Sequence, residues 1–252
     1  MEGTSSVTKI PLEAFAGQCQ RSLQAIHERV SYFSAVPLEA DQVRQYLNEP
    51  IAALPKTLLE HLPPVRLVLV PFLEKGPNGS TDLVCFERPQ RSLTSSVFDV
   101  SEALFLFLAA EQQEVADFHY WFFHGVAELE AERIDPDAFN RYQSLVLDEI
   151  NRMARGEVDE RSYELKQKMA RRAGKPAGEA KAMRQYVSQS LADTLTLYLH
   201  GLCCDIDVEP GPRQLASRYV RRRLELMAEF YPPNPGFLLF PSDPEARNGS
   251  AT

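Results

Sequence analysis

The chain lacks the short motifs that announce familiar chemistries. There is no His-Glu-x-x-His, no Gly-x-Ser-x-Gly, no Gly-x-x-x-x-Gly-Lys and no Gly-x-Gly-x-x-Gly. Zincin, α/β-hydrolase, phosphate-loop and dinucleotide-binding chemistries therefore have no sequence support. Gly76-Pro77-Asn78-Gly79-Ser80 is turn material, because it carries neither the Lys nor the helix that a phosphate loop requires. A Glu-x-x-His pair on each of two helices, the di-iron pattern of four-helix bundles, is also missing.

Cysteine is scarce, and its spacing is uninformative as a framework. The four residues, Cys19, Cys85, Cys203 and Cys204, include no CxxC, so reduced thiols are expected rather than a disulfide scaffold. Long hydrophobic runs are lacking too: the longest, Ala103 to Ala110, is far too short to cross a bilayer. Met1 to Phe15 shows no basic segment followed by an apolar one, so no secretory signal is read and a cytoplasmic location is expected. No Gly/Ser linker and no repeat of solenoid period divides the chain, which suggests one globular domain over residues 11–240, a flexible stretch at 1–10 and a disordered tail at 241–252.

What is present is an ordinary globular composition, 44% hydrophobic and 25% charged, with a net charge of −8. The charge is uneven. Residues 1–162 hold 14 Lys/Arg against 25 Asp/Glu, or −11, and residues 163–252 hold 13 against 10, or +3. The basic residues cluster at 166–184 and again at Arg218, Arg221, Arg222 and Arg223. Apart from Tyr219 no aromatic interleaves them, which disfavours nucleic acid and leaves a solvated face or an acidic protein partner.

Apolar spacing predicts a mainly α, multi-helix globular domain with a small β-hairpin or short antiparallel sheet, the alternative being an α+β fold with a three-stranded sheet. A first helix is expected over 11–32, from Phe15, Cys19, Leu23, Ile26 and Val30. A second follows Pro37 and is broken by Pro50 and Pro55, and a short one spans Lys56 to His61. Val65 to Val70 and Thr81 to Phe86 read as strands. Later helices are expected near 136–153, 159–172, 183–202 and 213–231. The run 103–109 is apolar on all sides; its Ala and Leu content favours helix, and a single long helix from about 100 to 134 becomes the expected centre of the fold.

On such a helix Leu104, Leu108, Val115, Phe118 and Phe122 share a stripe that Glu111 and His119 interrupt, whereas His124 and Glu128 fall on the opposite, solvated face. Glu111 and His119 are thus candidate metal ligands, joined by His200 and Cys203 from the dense run His200-Gly201-Leu202-Cys203-Cys204-Asp205. The sequence leaves the cofactor unknown, and zinc or iron are the ions such a donor set would hold. Cys203 or Cys204, helped by His200 or His119, is also a candidate nucleophile, although the C-terminal end of a helix is the wrong end of the dipole for a thiolate. Arg221, Arg222, Phe237 and Phe240 are candidate partner-binding residues, the last two in an apolar segment expected to dock in extended form. The leading functional expectation is a protein-interaction or scaffold protein with another protein as partner, self-association included; the alternative is a metal-dependent enzyme.

Overall fold

The run Ala103–Ala109 alternates Leu and Phe, and it is the centre of a sheet, not the start of a helix. The computed structural model describes residues 9–77, 80–100, 103–111, 114–171, 176–204 and 213–239. In it this run is β9, buried along its whole length. It pairs in parallel with β4 (Val65–Val70), in the register Leu67↔Leu106 and Leu69↔Leu108, and antiparallel with β8 (Ser95–Val100). β3 (Val30–Ser34) lies parallel to β4, and β2 (Gln24–His27) closes a hairpin with β3, giving the order β2-β3-β4-β9-β8.

A second sheet, wholly antiparallel, has the order β1-β6-β5-β7, from β1 (Lys9–Pro11), β5 (Phe72–Glu74), β6 (Leu83–Cys85) and β7 (Ser92–Leu93). The fold is therefore α+β with two substantial sheets, which overturns the expectation of a mainly α domain with one hairpin. The physical reason is visible in β4 and β9. Leu67, Leu69, Leu104, Leu106 and Leu108 belong to one core, shared with the later helices. Val68, Val70, Phe105, Phe107 and Ala109 belong to a second core on the other face, with α1 (Leu12–Cys19) and the small sheet. A strand buried on both faces reads as a continuous apolar run, and packing on both sides overrides the helical propensity of Ala and Leu.

The expected helix at 11–32 fails for a related reason. Only 12–19 is helical, and a 3-10 turn at Gln20–Ser22 leads into the β2–β3 hairpin. Residues 40–53 are helical without interruption: α2 (Ala40–Val43), a π-helical turn (Arg44–Asn48) and α3 (Glu49–Ala53) run on through Pro50. α4 (Lys56–His61) then leads to β4.

The remaining helices are α5 (Val115–Ala131), α6 (Pro136–Asn151), α7 (Glu160–Ala170), α8 (Pro176–Cys203) and α9 (Ser217–Phe230). α5 lies on β9 and on α8, and α8 is flanked by α6, α7 and α9. Close approach of α5 to the sheet depends on Gly125, where a Cβ would lie 2.5 Å from Leu106 Cδ1.

Between α6, α7, α8 and α9 sits a buried ionic knot. Arg223 Nη2 donates to Glu149 at 2.6 Å, and its Nη1 donates to Glu157 at 2.7 Å and to Ser190 at 2.8 Å. Lys166 donates to Glu157 at 3.0 Å. Read from sequence as part of a solvated basic patch, Arg223 is instead completely buried. Gly156, at φ +79°, brings Glu157 to this knot, since a Cβ there would collide with the Gln214 carbonyl. The expected N-terminal stretch at 1–8 and the tail from residue 240 onward lie outside the described residues, and Lys9 and Ile10 belong to β1.

Candidate metal centre

The last turn of α8 carries Cys203, with Cys204 just beyond it, and the second turn of α5 carries His119. Because α5 packs along α8, these three side chains meet. Cys204 Sγ lies 3.3 Å and Cys203 Sγ 3.8 Å from His119 Nδ1. All three donor atoms fall within 4.8 Å of one another, with the imidazole buried and the cysteines half-buried.

The other face of the ring is fixed by backbone. His119 Nε2 lies 2.6 Å from the carbonyl oxygen of Gln45, in the π-helical turn. A carbonyl only accepts, so Nε2 carries the hydrogen, and in the neutral ring Nδ1 turns a lone pair toward the two sulfurs. That carbonyl is free for a reason written in the sequence. The π-helical turn spans five residues per bond, as the Glu49 N–H to Arg44 carbonyl bond shows. The next bond in that series would run from residue 50 to Gln45, and Pro50 has no N–H to give. Pro50 does not break the helix as sequence reasoning expected; it leaves one carbonyl unclaimed, and His119 takes it. Tyr46, in the same turn, packs edge-on against Phe118 at 4.8 Å and holds the turn against α5.

The electrostatics follow from these contacts. Burial opposes a charge on His119, but its hydrogen bonds to Cys204 and to the Gln45 carbonyl outweigh burial and raise its pKa. A hydrogen bond from the Cys203 thiol, aided by His119 and His200 and opposed by burial, holds Cys204 well below the usual thiol range. The same bond, together with burial and the nearby Glu49 carboxylate, pushes Cys203 upward. The pair thus shares one thiolate beside one imidazole, a compact donor set for a cation.

No family model, curated protein or solved structure matches the chain. The site's chemistry is accordingly argued from its own donors.

Of the residues singled out from sequence, His119 and Cys203 come together and Cys204 joins them, while His200 lies one helical turn away on α8. Glu111 is exposed in the turn after β9 and its backbone N–H bonds to the Pro71 carbonyl, so it shares no helix with His119. Arg222 pairs with Asp148 at 3.0 Å, and Arg221 lies 3.9 Å from Glu225. Phe237 packs against the protein's own main core. The segment before it is latched by Asn234, whose side chain donates to the Leu54 carbonyl at 2.8 Å and accepts from Lys56 N–H at 3.2 Å. Phe240 and Asp205 lie outside the described residues.

His124 departs from its expected solvated position, since α8 covers that face of α5. It is buried, with Nε2 3.5 Å from Glu128 and Nδ1 3.4 Å from Thr196 Oγ1. Its neighbour on α8 is Asp193, buried, accepting from Gln189 at 2.7 Å through one oxygen while the other has no partner. The π-helical turn was missed entirely from sequence, although the proline five residues after Gln45 was a readable signal for it.

Among the described residues no helix is long and apolar enough to cross a membrane.

Proposed function

We propose that this protein binds zinc(II) through His119 Nδ1 and the sulfurs of Cys203 and Cys204. The observation that carries the reading is a pair of distances. A tetrahedral zinc ion, with bonds of about 2.3 Å to sulfur and about 2.0 Å to nitrogen, separates such donors by about 3.5 Å. The two sulfur-to-Nδ1 distances, 3.3 and 3.8 Å, bracket that value. An ion could enter with little movement of the side chains.

Three further points agree. Thiolate with imidazole is the donor set that zinc favours over hard cations. Ligating histidines characteristically donate their second N–H to a carbonyl or carboxylate, which fixes the tautomer, and His119 does so to Gln45. The end of a helix, where carbonyl dipoles converge, favours positive charge, and Cys203 and Cys204 stand at the end of α8.

Elemental analysis of protein purified without added metal is expected to find zinc in about a 1:1 ratio. His119→Ala and Cys204→Ser, checked for folding by circular dichroism, are expected to lose it. Wild-type protein that neither carries nor takes up zinc in an equilibrium titration overturns the reading. A protein-interaction role has less behind it, because Arg222 and Phe237 are engaged within the molecule.

A further inference from the structure

His200 stands on α8 beside this centre, outside the three-donor set. It stands three residues before Cys203 and four before Cys204. At 3.6 residues per turn these spacings place all three side chains on one face of the closing turn of α8. The imidazole lies edge-on to Tyr120 and tilted against Phe123, each at 6.1 Å between ring centres. Those two residues flank His119 on α5, one and four positions along. His200 therefore lies over the same stretch of α5 from which His119 projects.

Its hydrogen bonding is incomplete. Its Nε2 is buried and has no hydrogen-bond partner. A buried ring nitrogen without a partner is unusual in folded proteins and calls for an explanation, an ion among them. The three donors already described cluster within 4.8 Å of one another, and His200 is outside that set. To join that set, His200 would have to turn about its own side-chain bonds.

Resting on the zinc reading above, we infer that His200 is the fourth ligand, so that the ion is held by two cysteines and two histidines in a closed tetrahedral site. The consequence reaches function. A catalytic zinc keeps one position for water or substrate, whereas a four-residue shell leaves none. The ion then clamps the end of α8 to the start of α5 and, through Gln45, to the π-helical turn. The role is structural, and hydrolytic chemistry at this centre is not expected.

X-ray absorption at the zinc edge of the wild-type protein tests this without any variant. Scattering from two imidazole rings and two sulfurs is expected; a single ring with an oxygen in the remaining position overturns the assignment of His200 while leaving zinc binding intact. A second measurement uses His200→Gln, which keeps a polar side chain of similar reach. Competition against a chelating dye is expected to show zinc affinity falling by more than the about 10- to 100-fold that loss of an outer hydrogen-bonding partner costs. The cobalt(II)-substituted variant should also change its visible spectrum. Wild-type affinity together with an unchanged cobalt spectrum in His200→Gln overturns the inference. Wild-type protein that binds neither zinc nor cobalt overturns the underlying zinc reading, a result distinct from the other two.

Discussion

At the scale of single residues, the helical half of the molecule buries charge in two ways, and only one of them is compensated. In the Arg223 knot, burial works to raise Glu157, but the Arg223 guanidinium and the Lys166 ammonium win and hold it at about 2. A carboxylate lowered in this way stabilises the fold above its ordinary pKa, and that stability fades as pH falls toward 2. Asp193 is the opposite case. Burial pushes it up to about 6, and its hydrogen bond from Gln189 offsets burial only in part. A carboxyl group raised in the folded state holds its proton more tightly there than in the unfolded chain. Stability therefore falls as pH rises from about 4 to about 6, and the full penalty is present at pH 7, roughly 3 kcal/mol at most. Asp193→Asn keeps the acceptor for Gln189 and cannot ionise. It is expected to be more stable than wild type at pH 7.5 and equal or slightly less stable at pH 4, as read by urea unfolding at both values. A constant difference between the two proteins across that range would contradict the assignment.

At the scale of elements, the π-helical turn between α2 and α3 makes a local rule serve a distant site. Replacing Pro50 by Ala supplies an N–H that can compete with His119 for the Gln45 carbonyl. The ring then loses part of its fixed orientation, and zinc affinity is expected to drop by about tenfold while the thermal midpoint changes little. Isothermal titration of the folded variant checks this; wild-type affinity would show that the carbonyl does not orient the ring. The same elements show what sequence could and could not disclose. The helices α6, α8 and α9 are legible because each carries an apolar stripe, and α6 opens at Asp135, whose side chain accepts from the N–H groups of Asp137 and Ala138; α7 reads only as a polar helix with few core anchors. β9 was misread because one face of it meets each of two cores, so both faces are apolar; the alternation of Leu with Phe was the remaining clue. Ile26 and Val30 continued a helical spacing by coincidence, and the turn between β2 and β3, Glu28-Arg29, contains neither Gly nor Asn to mark it. Glu111 shares a face with His119 only if residues 103–109 are helical, and β9 is a strand. His119 and Cys203 were legible as residue types, but their meeting depends on the packing of α5 along α8, which no local pattern encodes.

At the scale of the whole molecule, the candidate centre lies on one side of a layered structure. The five-stranded sheet separates a core shared with the helices from a core shared with α1 and the small sheet, and His119, Cys203 and the π-helical turn all stand on the helical side. An ion that bound only the folded state would stabilise the protein by mass action, about 2.7 kcal/mol at a free concentration 100 times the dissociation constant. For a chain of this length each kcal/mol moves the thermal midpoint by about 2–4 °C, so chelation is expected to lower it by about 5–10 °C. The effect should also be local, because the sheet has its own two cores and does not depend on the ion. Hydrogen exchange after chelation is expected to rise at residues 44–49, at the start of α5 and over the last two turns of α8, while β4 and β9 keep their protection. An unchanged midpoint, with exchange unaltered at all three segments, would mean that no ion ties these elements together.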